Sequence, residues 1–579
     1  MGTTIEVNKQ SVKQLLETGR ANPFVIPEYQ RPYAWEEEQI QTLFEDLWEF
    51  TASVAGTESK STYFLGSVVS YENENGEQEI IDGQQRITSL FLLLRAIYTK
   101  LKEADTPTKE ALNFINQIEP AIWRTNRFSG EVDYSNILLE SRVMNNEGNQ
   151  ILRDILKTGK ANPSLKDNYS KNYRKFQELF EKACAENALI IYEFIYVLLN
   201  QAILLPITAD TQDTALTIFS TLNDRGLPLS DADIFKAKIY NKLSDDKKAD
   251  FIEQWKELDE KANNTSESIQ QLFYYYMFYL RAVEEDTKTT TPGLRKYYAV
   301  NKFKKLDSPD LLENLEIILN LWSVVTNKEI IENEAWSKNI SILQVLDILT
   351  SYPNEFWKYP VVIYYLVHRM EKNFEYNFLR FLRKLLFELL SKYLMIPTIN
   401  AVKTEILKLN AAIIRSSVPV FDFKEIDFTT LNDKIKTPHR NAVRMLLKML
   451  AYEEQKELLP QKWEIEHIFP QRWQSNYFTN IGDDIVKEKI EHIGNKIPFE
   501  KHLNIIAGNG YFTKKKKIYA DSSIMITKIM ASSKKDDWKL DDISERDVRV
   551  SDCIITTLEK WNKEYLKEYV CITYKETIS

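Results

Sequence analysis

Two regions of this chain of 579 residues gather side chains whose types and spacing suit chemistry. The first holds WEIEHIFPQ, Trp463 to Gln471, then HIGNKIPFEKHLN, His492 to Asn504, then Asn509 and the lysine run Lys514–Lys517. Phosphodiester hydrolysis needs a base to activate water, a cation to neutralise charge on the phosphate and leaving oxygen, and groups that hold both in line. Histidine suits the base because its ordinary pKa lies near neutrality, which points to His467. A hard divalent ion, Mg2+ or Mn2+, takes oxygen ligands, so Glu466 and an Asn side-chain carbonyl suit it. Lys514, Lys515 and Lys516, with Lys517, would hold flanking phosphates.

The second region holds IPEYQRPYAW (Ile26–Trp35), YFLGSVV, and IIDGQQRITSL (Ile80–Leu90), in that order. A strand that ends in DGQQR and enters a helix makes a phosphate site. Gly83 allows close backbone approach, the first amides of the helix, at Gln84 and Gln85, point at an anion, and Arg86 can clamp phosphate through two N–H groups. Asp82 would position water or a metal. The Ile26–Trp35 segment adds aromatic faces for stacking and one guanidinium, Arg31. Taken singly, each string reads as a turn, a helix start or a solvated face; their order along the chain gives them weight.

These residues need elements to position them. A short strand carries Glu466 and His467 to its end, where Pro470 stops it. Neighbouring strand residues point to opposite faces, so a bend or bulge is needed if both are to serve one site. Upstream, residues 1–100 read as α/β: VKQLLE is helical, EEEQIQTLFEDLWEF carries apolar residues at helical spacing, YFLGSVVSY and QEIID pair across the turn ENENGE, and a long apolar helix follows GQQR. Residues 101–200 read as mostly helical. IIYEFIYVLLNQAILLPITA, interrupted by Glu193, Asn200, Gln201 and Pro206, reads as a buried helix and a strand, not a membrane span. TALTIFSTLN is a helix, DRGLP a loop, and Ser230 with Asp233 a capping box. From about 245 to 400 the pattern is helical with aromatic-rich faces, and VPVFDFKEIDF is the boundary zone before a C-terminal domain.

The length implies more than one core. We expect domains at 1–240, 241–417 and 418–579. Apolar residues at 44% and charged residues at 27% are those of a soluble globular protein, which leaves out fibrous and membrane classes. The net charge of −9 weighs mildly against nucleic acid, but local charge at the phosphates decides. Three scattered cysteines and a start, MGTTIEVNKQ, without a signal peptide's basic and apolar regions fit the cytoplasm.

EHIFPQ followed by GNKIPFEKHLN resembles the ββα-metal fold of HNH nucleases, and the nine-residue step from Asn495 to Asn504 is similar to that between two asparagines in the HNH domain of RNA-guided Cas nucleases. The resemblance makes His467 the general base, Glu466 a metal ligand, Asn495 the residue that orients the loop holding the His, and Asn504 the second ligand, with Asn509 as its alternative. Glu stands where many members have Asp, and the stretch between His467 and Asn495 is long. The N-terminal strings, with IFSTLNDRGLPLSDADIFK (Ile218–Lys236), resemble the ParB/sulfiredoxin-like domain of the GmrSD group of type IV restriction enzymes. That implies a predominantly helical α+β multidomain chain: a ParB/sulfiredoxin-like nucleotide-binding domain, a helical middle, and an HNH nuclease domain. It implies binding and hydrolysis of a nucleoside triphosphate of unspecified base, coupled to cleavage of modified phage DNA. Tyr29, Gln30, Arg31, Tyr33 and Trp35 would lie near nucleotide or DNA, with Gln30, Arg31 and Asp82 to Arg86 holding the nucleotide and Tyr29 and Tyr33 the DNA. Two other functions remain open, a nucleotide-dependent DNA-binding sensor with an inactive nuclease domain and an RNase or toxin, as does assembly into a homo-oligomer.

Overall fold

The computed structural model describes residues 6–56, 61–104, 106–126, 128–143, 146–186, 190–222, 230–474, 477 and 481–576. The stretch 224–228, read as the loop DRGLP, lies outside them. The chain divides into two compact units, Met1–Lys256 and Glu257–Ser579. It is predominantly helical, with small mixed sheets. Among the described residues no helix is long and apolar enough to cross a membrane.

The first unit is built on a seven-stranded mixed sheet. Its centre is the strand Tyr63–Glu72, which pairs antiparallel with Gln78–Asp82 across the expected turn and parallel with Ala202–Ala209. Phe24–Ile26 pairs parallel with both Gln78–Asp82 and Leu139–Ser141, and Glu6–Val7 and Gln10–Ser11 close the other edge. Alternation along the strands separates two faces. Phe24, Val68 and Ile80 join a core with the buried leucines of helix Gln84–Lys102 and with helices Glu37–Val54 and Asn168–Glu186. Helix Gln212–Leu222 packs on the sheet strands as well. Three strands, Trp123–Thr125, Val132–Ile137 and Leu139–Ser141, interrupt a stretch read as mostly helical. Trp123–Thr125 and Leu139–Ser141 are three residues long, too short to give a period-2 signal, and Val132–Ile137 does not alternate between buried and exposed residues. The capping box of Ser230 and Asp233 starts helix Asp231–Lys242 as expected.

The second unit begins as helices whose aromatic stripes pack against one another: Phe278 stacks on Tyr359 at 3.9 Å, and Tyr364 on Phe381 at 4.1 Å. Near its end two strands, Trp463–His467 and Lys496–Glu500, form an antiparallel pair. Helix Lys501–Ala507 follows at once, then Phe512–Tyr519, Met525–Ala531 and the long helix Leu540–Glu576. Ile468, Phe469, Ile497, Phe499, Leu503, Phe512 and Tyr519 are among the residues of a core belonging to this group.

Candidate functional site

The strand pair places Glu466 opposite Ile497 and His467 opposite Lys496 in unbroken register. The bend expected between Glu466 and His467 is absent from the pairing, so the two side chains leave opposite faces. Glu466 shares the face of Ile497 and Phe499, which the following helices cover. It is 4% exposed, and its Oε1 accepts from the Tyr519 hydroxyl at 2.7 Å and lies 2.8 Å from the Lys515 ammonium. Burial raises its pKa, and Lys515 opposes that shift. His467 is half-buried on the other face, with Nε2 3.6 Å from Glu491 Oε1. Burial, aided by the neighbouring Lys496 ammonium, lowers its pKa to about 4, so the ring is neutral at neutral pH. Glu491 in turn accepts from Lys496 Nζ at 2.7 Å, which gives the imidazole an anchored carboxylate.

Asn495 is fully buried and spends its amide on the backbone: Oδ1 accepts from Phe469 N at 2.7 Å, and Nδ2 donates to the carbonyls of Phe469 and Ile490. It ties the segment after His467 to the turn before the second strand. The long C-terminal helix fixes that turn from outside. Arg546, on this helix, donates to the carbonyls of Ile493, Gly494 and Lys496. Asp547 accepts from the Gly494 amide at 2.7 Å and lies 2.7 Å from His492 Nδ1. A Cβ on Gly494 would meet Asp547 Oδ1 at 2.7 Å and clash with the Ile543 carbonyl, which accounts for glycine in HIGN.

Asn504 is half-buried on helix Lys501–Ala507. Asn509 is committed elsewhere: both ends of its amide bond the backbone of Arg472, so it does not serve as a ligand in this arrangement. Among the described residues no group of three or more His, Cys, Asp and Glu surrounds a common point. The donor types nevertheless suit a hard ion that keeps most of its waters and takes one carboxylate and one amide oxygen. Such an ion would compete with Lys515 for Glu466.

The lysine run divides. Lys514 and Lys517 are exposed and Lys516 is half-buried, but Lys515 is 1% exposed, and its ammonium also donates to the His467 carbonyl. Lys515 is therefore not a surface phosphate contact. Phe512, Lys515 and Tyr519 lie three and four residues apart on one buried helix face. That stripe was visible in FTKKKKIY, and the uniform run of lysines masked it. Glu491, Arg546, Asp547 and Tyr519 carried no motif signal; only the fold brings them here.

In the first unit, Asp82, Gly83, Gln84 and Arg86 meet where the strand Gln78–Asp82 enters helix Gln84–Lys102. Gly83 has φ of +86°, and no side chain caps the helix. Arg86 packs on Gly66, itself at φ +114°, where a Cβ would stand 2.9 Å from the guanidinium carbon, and donates to the Ser67 carbonyl at 2.9 Å. Burial raises the pKa of Asp82, against the Gly83 amide and Arg86. Gln84 is buried, and its Oε1 has no hydrogen-bond partner. Gln85 instead stitches the aromatic loop in place, accepting from the amides of Ala34 and Trp35 and donating to the Pro32 carbonyl. Gln30, 2% exposed, donates to the Ile81 carbonyl and so holds the loop rather than facing a ligand. Arg31 is half exposed, 3.8 Å from Asp233. Tyr29 and Tyr33 are 5% and 7% exposed, with hydroxyls bonded to Glu79 and Ser89. Their rings lie in the interior, so neither offers a face to DNA. Trp35 packs partly buried against the core.

Comparison with known families gives the class of protein to which the two regions belong, restriction endonucleases, hydrolases that act on DNA. Residues 12–240 match the N-terminal domain of the GmrSD restriction endonuclease, and residues 422–551 match the C-terminal domain of GmrSD restriction endonucleases. Together the matches cover well over half of the chain, and the chain belongs to the GmrSD restriction endonuclease family. No curated protein matches it.

Proposed function

We propose that the chain is a nucleotide-regulated, metal-dependent endonuclease of the HNH kind that cleaves modified phage DNA as a type IV restriction enzyme. The observation that carries the reading is the setting of His467: it ends a strand pair followed by a helix, lies 3.6 Å from Glu491, and the segment after it is pinned by Asn495. Only an unprotonated ring can accept a proton from water. Glu491 beside Nε2 then stabilises the imidazolium that forms. Because the unbroken pairing sends Glu466 and His467 to opposite faces, this reading requires the strand end to bend when Mg2+ or Mn2+ binds; Glu466 and Asn504 would then hold the ion, which when bound neutralises charge on the phosphate and the leaving oxygen. Asn495 orients the loop and touches no substrate.

In the ParB/sulfiredoxin-like part, the uncapped amides after Gly83 and the Arg86 guanidinium bind the phosphates of a nucleoside triphosphate, Gln84 offers an unspent acceptor, and Asp82 orients the attacking water for hydrolysis. One experiment tests the whole: cleavage of matched modified and unmodified phage DNA with Mg2+ or Mn2+, with and without each nucleotide, by wild type and His467→Ala. Wild type is expected to cut the modified DNA, and His467→Ala to lose cleavage while keeping its fold and nucleotide binding. Normal cutting by His467→Ala would remove the site assignment. The Lys515–Glu466 pair favours one alternative, a nucleotide-dependent DNA-binding sensor with an inactive nuclease domain, because Lys515 already balances the carboxylate a metal would use. Absence of cutting with either metal, alongside retained DNA binding, would select it.

A further inference from the structure

Helix Lys501–Ala507 buries Leu503 and Ala507 and turns Lys501, His502, Ile505 and Ile506 outward. Ile505 and Ile506 are 72% and 61% exposed, directly after Asn504. Two adjacent bare isoleucines on a seven-residue helix beside a candidate active site mark a contact surface rather than a random surface residue. The chain around them is basic between two acidic residues, Glu500, which is buried and bonded to Ser522 and Ser523, and Asp521. From Lys501 to Ala520 there are five lysines and no Asp or Glu, in a chain that carries 84 acidic residues. Lys515 is neutralised by Glu466, so Lys501, Lys514, Lys516 and Lys517 supply the field. A second copy of this face would set lysine against lysine, which disfavours self-association; a polyanion is the complementary partner.

Resting on the nuclease reading, we infer that Ile505 and Ile506 form an apolar wedge that enters the minor groove of duplex DNA next to the scissile phosphate, with Lys501, Lys514 and Lys517 on the flanking phosphates. Aliphatic side chains fit this role because they part a base step without needing a hydrogen bond. Single strands are held mainly by aromatic platforms, and among the described residues this face offers none: Tyr511 stacks on Tyr477, and Phe512 is buried. The wedge would also open the backbone at the position where His467 must reach it.

The test uses the full chain carrying His467→Ala, so that DNA stays intact, with and without Ile505→Ala plus Ile506→Ala. Fragments of modified phage DNA, duplex and heat-denatured, serve as probes in fluorescence anisotropy across a salt series. Loss of the isoleucines is expected to weaken duplex binding about tenfold, to leave single-strand binding and the salt slope unchanged, and to leave the melting temperature unchanged because both side chains are exposed. Lys514→Ala plus Lys517→Ala should instead flatten the salt slope by about one for each lysine removed. Equal duplex affinity with and without the isoleucines, in a protein whose parent cuts the DNA, overturns the wedge and leaves the nuclease reading standing. A change in oligomeric state by sedimentation overturns it in favour of a protein contact. A parent chain that neither binds nor cuts duplex DNA overturns both.

Discussion

At the scale of single residues, Lys515 decides how the site is understood. Its ammonium stands 2.8 Å from Glu466 in a spot closed to water. Removing one partner of a buried pair costs about 3–5 kcal/mol because the other charge is left uncompensated. Lys515→Met should therefore lower the melting temperature in chelator. It should also free Glu466 for a divalent ion, so we expect Mn2+ to bind about tenfold more tightly by calorimetry and to restore the lost melting temperature. Unchanged Mn2+ affinity in Lys515→Met would remove Glu466 as a ligand. The sequence made the string EHIFPQ legible as a strand end with a base, because a His beside a carboxylate and a stopping Pro are local signals. It did not reveal which way each side chain faces. Glu466 shares a face with Tyr519, and Lys515 lies under the helix, through bonds to partners 48 to 53 residues away.

At the scale of elements, the strand pair alone does not make the site; the turn Ile493–Asn495 must be held, and the long helix Leu540–Glu576 holds it. Gly494 lies where that helix comes closest, with Asp547 Oδ1 only 2.7 Å from where an alanine methyl would stand. Gly494→Ala should force the helix away, break the Asp547 bond to the turn and misplace Asn495. We expect cleavage to fall at least about a hundredfold, with a local loss of amide protection around 493–500 in hydrogen exchange. Normal protection with normal cleavage would show that the turn tolerates the displacement. The long periodic elements, such as Glu37–Val54 and the hairpin through Gln78–Asp82, were readable because one face is apolar and the turn residues are explicit. Short strands such as Leu139–Ser141 were not, since three residues carry no period. The aromatic loop Tyr29–Trp35 looked like a stacking surface; its tyrosines are interior because Glu79, Ser89 and Asn172, distant in sequence, satisfy their hydroxyls.

At the scale of the whole molecule, the two candidate sites belong to different compact units, Met1–Lys256 and Glu257–Ser579. A nuclease kept in a cell with its own chromosome requires restraint, and a two-state change biased by both sites would supply it. We expect Arg86→Ala, remote in sequence from His467, to change how cleavage of modified DNA depends on nucleotide concentration. His467→Ala should keep nucleotide hydrolysis. Measuring cleavage rate against nucleotide concentration for wild type and Arg86→Ala, on modified and unmodified DNA, decides the matter. Identical curves would mean that the units act independently and would end the regulated reading.

The grip of Arg546 on the carbonyls of Ile493, Gly494 and Lys496 has a consequence for how genes of this kind are interpreted. Every residue of the EHIFPQ and GNKIPFEKHLN strings lies upstream of it. A frameshift or early stop just before Arg546 would leave a product with all the signature residues and nothing to mould them. Counting motifs in a genome would score that pseudogene as armed. The reading frame through the final helix is the better criterion for an intact defence gene.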